Sequence, residues 1–180
     1  MKKYRTILAD PPWDIGMTGL YKIRKLRPVK LVYPTMTIEE ICKLPVNDLA
    51  EEGCHLWLWT TNSHLRKAFD VMEAWGFKYL APITWVKPSG LGNYFIHKTQ
   101  HILFGYKNKC QFNKERYKPN VFEAKPLKHS QKPEESYQLI ESISEPPYLE
   151  LFARQKRKTL FNETWDVWGN EVESDIELLK

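Results

Sequence analysis

The chain has 180 residues and a net charge of +5, and its sequence pI is about 9.0. This length predicts one domain over residues 1–180, and the basic balance with 13 % aromatic residues favours a polyanionic partner such as nucleic acid. The three cysteines form no Cys-x-x-Cys pair, which argues against a zinc site and fits a reducing, cytoplasmic compartment. Only three apolar residues separate the basic N-terminus from Asp10, too few for a signal peptide or a membrane span.

Short apolar runs of β type recur along the chain and predict strands. We expect strands at Tyr4 to Ala9, His55 to Thr60, Tyr79 to Val86, His101 to Tyr106, Tyr148 to Ala153 and Thr164 to Trp168.

Helical patterns lie between these runs. Thr37-Ile38-Glu39-Glu40 is a capping box that opens a short helix to about Lys43. Ser63 is expected to cap a second helix, which Gly76 ends, and Pro133 is expected to start a third.

Strands that alternate with helices predict an α/β fold, with a mostly parallel Rossmann-like sheet and helices on both faces. The basic segment from Asp14 to Val32 and the glycine-containing segment from Pro88 to Thr99 are predicted loops. The acidic residues after about Glu171 are predicted to fray.

Asp10-Pro11-Pro12-Trp13 directly follows the first predicted strand. Open α/β sheets bind ligands at the carboxyl ends of their strands. A carboxylate, two prolines and a large aromatic ring there suit a planar base that carries an amine. The alternative is a proline turn with a tryptophan that packs in the core.

Three further motifs follow in order: His129-Ser130-Gln131-Lys132-Pro133, then Glu150-Leu151-Phe152-Ala153-Arg154, then Trp168-Gly169-Asn170. This order resembles the MT-A70 (MT-A, seventy-kDa subunit) family of adenine-N6 methyltransferases, which use S-adenosylmethionine. The resemblance covers about Thr6 to Asn170. It implies a Rossmann-like methyltransferase fold in which the catalytic motif precedes the main cofactor-binding strand, a permuted motif order.

The resemblance implies that the Asp10-Pro11-Pro12-Trp13 motif is catalytic. The exocyclic amine of adenine is a poor nucleophile, because its lone pair is delocalised into the ring. Acceptors aimed at its two hydrogens favour attack on the sulfonium methyl group, and we expect the Asp10 carboxylate and the Pro11 carbonyl to be those acceptors. The rigid turn keeps the reorganisation during reaction small. The sulfonium activates the methyl group itself, so no metal is expected.

Trp13 and Tyr33 are candidates to sandwich a flipped adenine, and Trp85 could support its edge. For Tyr33 and Trp85, core packing is an equal alternative. Basic residues in the loop after the catalytic motif are expected to contact phosphates, although a solvated surface is the usual fate of such runs. Those assigned to substrate binding are Lys22, Arg24 and Lys25.

The cofactor contacts also follow from the resemblance. Lys132 precedes a predicted helix and is expected to pair with the methionine carboxylate of the cofactor, although a solvated lysine is the alternative. Phe152 would give the cofactor a flat apolar wall, and Asn170 would bond its ribose. Further cofactor contacts are assigned to Asp10, Ser130, Arg154 and Glu171.

Two interpretations stay open. The first is an active adenine-N6 methyltransferase, with DNA favoured over RNA because a compact single domain is typical of the microbial and phage members. The second is a non-catalytic nucleic-acid-binding subunit of the same fold. A nicotinamide-type Rossmann enzyme is excluded, because no G-x-G-x-x-G follows a strand. We expect a homodimer or a complex with a related subunit.

Overall fold

The computed structural model describes residues 2–14, 34–92, 94–127, 131–158 and 164–178. Within these residues, seven strands form one sheet in the order β5-β3-β4-β2-β1-β6-β7. The strands are β1 (Tyr4–Ala9), β2 (Ala50–Thr60), β3 (Lys78–Leu91), β4 (His97–Tyr106), β5 (Val121–Glu123), β6 (Tyr148–Leu151) and β7 (Trp165–Trp168).

The sheet is mostly parallel, as predicted. β1 pairs in parallel with β2 and β6, β6 with β7, and β3 with β5. Only β4 among these strands is antiparallel to its neighbours β2 and β3. The polypeptide therefore leaves β1, β2, β6 and β7 at the same edge of the sheet.

Helices cover both faces of the sheet, which confirms the predicted class. They are α1 (Ile38–Cys42), α2 (Val46–Leu49), α3 (Leu65–Ala74) and α4 (Glu134–Ile143). The first three pack on one face, where Ile41, Val46 and Val71 belong to one buried cluster. On the other face α4 contributes Tyr137 and Ile140 to a second buried cluster.

Strand β2 shows why its sequence is a continuous apolar run. Leu56 and Leu58 belong to the first buried cluster, whereas Trp57 and Trp59 belong to the second. Side chains alternate between the two faces of a strand, so a strand covered on both faces needs apolar residues at successive positions.

The capping box predicted at α1 is confirmed. The Glu40 backbone N–H donates to Thr37 Oγ1 at 3.2 Å, and the Thr37 N–H donates to a Glu40 carboxylate oxygen at 2.8 Å. The prediction that Ser63 caps the next helix is wrong. A 3₁₀ turn at Asn62–His64 precedes α3, and His64 is the N-cap residue without a side-chain capping bond.

The predicted loop from Pro88 to Thr99 is also wrong over much of its length. β3 continues to Leu91 and β4 begins at His97, so both strands extend into that segment. Backbone pairing between the strands outweighs the local turn preference of Pro88 and Gly90. Gly90 lies so close to the His97 backbone that a Cβ there would clash with it.

Two further boundaries differ from expectation. β6 ends at Leu151, because Phe152 adopts a left-handed backbone with φ of 65°. The predicted fraying after Glu171 is wrong up to residue 178. The Asp175 carboxylate accepts a hydrogen bond from the Val167 N–H at 3.0 Å, and Ile176 packs against the first cluster.

The sequence did not predict α2 and β5, because elements of four and three residues carry little periodicity.

Candidate active site

The sequence motifs meet at the carboxyl edge of the sheet. The register pairs Ala9 with both Leu58 and Leu151, and Leu151 with Trp168. Asp10, Phe152 and the glycine after β7 therefore lie at one level, beside one another. Ligands of open α/β sheets bind at this edge, near the point where the strand order reverses.

Backbone hydrogen bonds fix the turn after β1. The Trp13 N–H donates to the Pro11 carbonyl at 2.8 Å, and the Met36 N–H donates to the Pro12 carbonyl at 2.9 Å. The prolines restrict φ and have no N–H to satisfy. The turn is therefore rigid, and one lone pair of the Pro11 carbonyl remains for another donor.

The Trp13 ring packs inside the protein. It is 6 % exposed, its Nε1–H donates to the Trp59 carbonyl at 3.2 Å, and it stacks on the His64 ring at 5.6 Å. His64 Nε2 donates to the Asp14 carbonyl at 2.9 Å, so His64 Nδ1 accepts from Thr61 Oγ1 at 2.9 Å. Trp13 thus anchors the turn after β1, and its contact with substrate stays a prediction.

Asp10 and Lys132 form an ion pair at the mouth of the site. Lys132 Nζ lies 3.0 Å from Asp10 Oδ2, and the ammonium also lies over the Trp59 ring at 4.9 Å from its centroid. The Lys132 side chain is 11 % exposed and that of Asp10 is 32 % exposed. Lys132 is therefore held in the site and is not a solvated surface lysine.

Behind this pair lies a second carboxyl group. Glu150 Oε1 accepts a hydrogen bond from the Tyr137 hydroxyl at 2.8 Å. The pKa of Glu150 is raised to about 7, mainly by burial and also by the Asp10 charge, against the lowering effects of Tyr137, Arg157 and Lys132. Glu150 can therefore change its ionisation near neutral pH.

Phe152 and the residues after β7 form the other half of the edge. The Phe152 ring is half-buried and meets the Trp168 ring edge-on at 5.4 Å. Arg154 Nε lies 3.7 Å from a Glu171 oxygen, and both of these side chains and Asn170 are exposed. An aromatic ring thus stands beside accessible donors and acceptors, and the cofactor contacts of these residues stay a prediction.

A cavity of about 730 Å³ opens on the α4 side of the same edge, between β3, β4, β5 and the start of α4. Burial and the nearby Lys132 charge lower the pKa of Lys87, which also lies over the Trp85 ring at 5.6 Å. Two ammonium groups thus lie near each other where an anion would relieve their repulsion. The charged residues that line the cavity are Lys87, Lys98, Lys125, Glu123, Glu134 and Glu135.

Several predicted site residues lie outside the described part of the chain. They are Lys22, Arg24, Lys25, Tyr33 and Ser130. Trp85 is described and is 4 % exposed, with its Nε1–H donating to the Ala124 carbonyl at 2.9 Å. That position agrees with the core-packing alternative, so a substrate contact by Trp85 stays a prediction.

The sequence interpretation assigned no role to Trp59, His64, Tyr137 or Glu150. One signal for Glu150 was available, because an acid inside an apolar strand next to a motif is unusual. Trp59 and Tyr137 reach the site through the packing of β2 and α4, and His64 reaches it by stacking on Trp13, which a local pattern does not reveal.

The described residues also bear on metals and membranes. They contain no group of three or more His, Cys, Asp and Glu side chains arranged to hold a metal ion. Within the same ranges, no helix is both long and apolar enough to span a bilayer.

A protein-family comparison matches residues 4–171 to MT-A70. The chain belongs to the MT-A70 family. The family match spans both halves of the site described above, from the turn after β1 to the residues that follow β7.

The MT-A70 relatives differ in the fraction of their length that aligns with this chain. It is 28 % identical to the type II methyltransferase M.MunI of Mycoplasma sp over 98 % of this chain and 82 % of that protein. It is 32 % identical to the N(6)-adenosine-methyltransferase MT-A70-like protein of Arabidopsis thaliana over 94 % of this chain, but only 24 % of that protein. The human N(6)-adenosine-methyltransferase catalytic subunit METTL3 is 29 % identical over 98 % of this chain and 29 % of its own length. The chain thus spans about a quarter of the plant and human relatives and most of the Mycoplasma relative.

Proposed function

We propose that this MT-A70 chain transfers the methyl group of S-adenosylmethionine to the N6 amine of adenine in nucleic acid, with DNA as the favoured polymer. The observation that supports this most directly is the Asp10 carboxylate, held in a rigid turn beside Lys132 and next to the carboxyl ends of β6 and β7. The names of the relatives agree with the reaction. The similarity to a type II methyltransferase over most of its length favours DNA.

The turn after β1 would orient the amine. Asp10 Oδ2 is engaged by Lys132 at 3.0 Å, so Oδ1 is the oxygen assigned to the adenine N6 hydrogen. The Pro11 carbonyl, which already accepts from the Trp13 N–H, would use its second lone pair for the other hydrogen. Two fixed acceptors would draw the amine out of conjugation and direct its lone pair at the methyl group.

The residues at the β6 and β7 ends fit the cofactor. Phe152 offers an accessible ring face, Asn170 and Glu171 offer exposed polar groups, and Lys132 offers a cation. When bound, S-adenosylmethionine would supply the methyl group as an electrophilic sulfonium. Holding the cofactor is the proposed role of these side chains, together with Arg154 and Ser130.

The cavity beside Lys132 is the proposed approach for nucleic acid. Lys87, Lys98 and Lys125 line it, and it opens at the same sheet edge as Asp10. Lysines at such a place can neutralise the phosphates that flank a flipped adenine. The loop residues Lys22, Arg24 and Lys25 are proposed to extend this contact.

Methyl transfer from labelled S-adenosylmethionine to matched single-stranded DNA, duplex DNA and RNA tests the proposal. We expect transfer by the wild type, greatest to DNA, and a loss of about 100-fold or more in Asp10→Asn. Asp48→Asn, an exposed carboxylate on α2, is the matched control and should keep full activity. Equal transfer by wild type and Asp10→Asn would exclude the role of Asp10.

The same assay separates the alternatives. Greater transfer to RNA would favour the adenosine-directed activity that the plant and human relatives are named for. A wild type that binds nucleic acid and transfers no methyl group would favour a non-catalytic subunit.

Salt dependence tests the basic contacts independently of chemistry. Each phosphate contact with duplex DNA contributes about 0.9 to the slope of log K against log salt. Replacing Lys87 and Lys98 by Ala should therefore lower that slope by about 1–2. Lys109→Ala, an exposed lysine beyond the opposite end of β4, should leave it unchanged. An unaltered slope in the double variant would remove the cavity from the binding surface.

A further inference from the structure

We propose that Glu150 is a positioning residue for the methyl transfer, because its buried carboxylate holds the Lys132–Asp10 pair from the interior of the protein. Phe152 and Arg154, from the same sequence motif as Glu150, belong to the proposed cofactor site. Glu150 itself has no role in that site. This inference rests on the proposed function, which it deepens by adding a residue behind the reacting groups.

The strand register places Glu150 next to the catalytic turn. Leu8 of β1 pairs with Glu150 of β6, and both face α4, since Leu8 and Tyr137 share the second buried cluster and Tyr137 bonds Glu150. Asp10 lies two residues after Leu8 and so emerges on the same face, about 7 Å further along the strand direction. Lys132 immediately precedes α4 and covers this face.

Glu150 is anchored on its inner side. Its Oε1 is bonded to Tyr137, and the Arg157 guanidinium lies over the Tyr137 ring at 3.8 Å from the centroid. Arg157 Nη1 in turn donates to Glu134 Oε2 at 2.8 Å. The aromatic ring and the two charged side chains therefore fix the orientation of the Glu150 carboxyl group.

The second carboxylate oxygen of Glu150 makes no hydrogen bond in the described residues. This oxygen, Oε2, is buried. A buried acceptor without a partner costs free energy, and so it points to a role beyond packing. The buried Glu141, one turn after Tyr137 on the same face of α4, differs because its Oε1 accepts from Trp165 Nε1 at 2.7 Å.

The ionised form of Glu150 would balance the Lys132 charge. Lys132 would then share its charge between two carboxylates, so it would withdraw less electron density from Asp10, whose Oδ1 accepts from the amine. If Glu150 were protonated, Asp10 alone would balance the charge of Lys132. Asp10 would then be a weaker hydrogen-bond acceptor for the amine. The groups that face Glu150 are Asp10, Lys132, Tyr137 and Arg157, and its pKa near 7 places this change in the working range of pH.

Glu150→Gln tests the inference because it keeps the size of the side chain and an acceptor for Tyr137. We expect kcat to fall about 10- to 100-fold at pH 8 with little change in the KM for nucleic acid. We also expect the wild-type profile of kcat to fall below about pH 7, and this acid limb to be absent from the variant. Glu141→Gln should keep both kcat and the limb. An unchanged kcat and limb in Glu150→Gln, or an equal loss in Glu141→Gln, would overturn the inference.

A titration by NMR with ¹³C-labelled glutamate does not depend on activity. If Glu150 faces the pair, Lys132→Met should raise its pKa and Asp10→Asn should lower it, each by about 1. Identical titration in both variants would overturn the inference, even in an active enzyme. If the wild type transfers no methyl group, the proposed function fails, and the titration still decides whether the three groups are coupled. Tyr137→Phe replaces Glu150→Gln if the latter does not fold, and it should raise the pKa of Glu150.

Discussion

The backbone contact between the β6 and β7 ends can be broken by one methyl group. Gly169 lies against Ala153, so that a Cβ at residue 169 would overlap the Ala153 carbonyl oxygen and lie 2.9 Å from its carbonyl carbon and nitrogen. Ordinary contacts of a Cβ begin at 3.4 Å, and the obstructing atoms are backbone that no side-chain rotation can move. Gly169→Ala must therefore push the two segments apart.

The cost of Gly169→Ala has two parts. Overpacking of this kind costs about 1–3 kcal/mol. Separation also weakens the hydrogen bond from the Ala153 N–H to the Trp168 carbonyl, now 2.9 Å, which is worth about 1 kcal/mol. A loss of about 3 kcal/mol lowers the melting temperature of a protein of this size by roughly 6–12 °C. Because Asn170 follows directly, the affinity for S-adenosylmethionine should fall as well.

Thermal unfolding and calorimetric titration of S-adenosylmethionine measure the two effects. Gly53→Ala is the control: its φ of 76° disfavours alanine, but the nearest atoms lie at 3.5 Å. That variant should lose only about 1 kcal/mol and keep its cofactor affinity, since it lies far from the carboxyl end of β2. A Gly169→Ala protein with wild-type melting temperature and affinity would refute the close-contact reasoning. Lower stability with full affinity would remove Asn170 from the cofactor site.

Three shorter predictions concern other residues. Burial lowers the pKa of His55 from 6.5 to about 4, so its neutral form is favoured in the folded state, and stability present above pH 6.5 is lost as the pH falls toward 4. Denaturant unfolding should show that wild type loses about 3 kcal/mol more than His55→Gln between pH 7 and pH 4, and equal losses would contradict this origin. Phe152→Gly should relieve the left-handed strain of about 1 kcal/mol but lose the Trp168 contact, leaving the melting temperature little changed while cofactor affinity falls. Lys132→Met should weaken cofactor binding in calorimetry about 10-fold, and undiminished affinity would exclude Lys132 from that site.

The parallel centre of the sheet could be predicted because its strands are covered on both faces. The runs at Tyr4 to Ala9 and His55 to Thr60 are mostly apolar, and both became central strands. The first turn of α1 was equally predictable, because the Thr37–Glu40 capping box is a local interaction. The amphipathic pattern and Gly76 located the end of α3, where φ at Gly76 is 76°.

The β3–β4 hairpin shows where local preference fails. Pro88 and Gly90 favour a turn when read alone, yet β3 runs past both to Leu91. The partners that extend this strand lie on β4, where Leu91 pairs with His97 and Val86 with Thr99. The strand ends depend on that pairing, which the turn preferences of Pro88 and Gly90 do not encode.

In the site, as in the sheet, some features follow from local sequence and others from contacts between distant segments. Asp10 and Lys132 could be named from motifs because each follows or precedes a recognisable element, but their 3.0 Å contact required the packing of α4 on β1. The Tyr137–Glu150 bond is a contact of the same kind, between a helix and the strand that follows it. Glu150 stands inside an apolar strand, where an ionisable group is costly unless it is paired or used. One of its oxygens is paired by Tyr137, and the other is buried without a hydrogen-bond partner in the described residues. We therefore attribute the burial of that second oxygen to the arrangement of charged groups that orients Asp10.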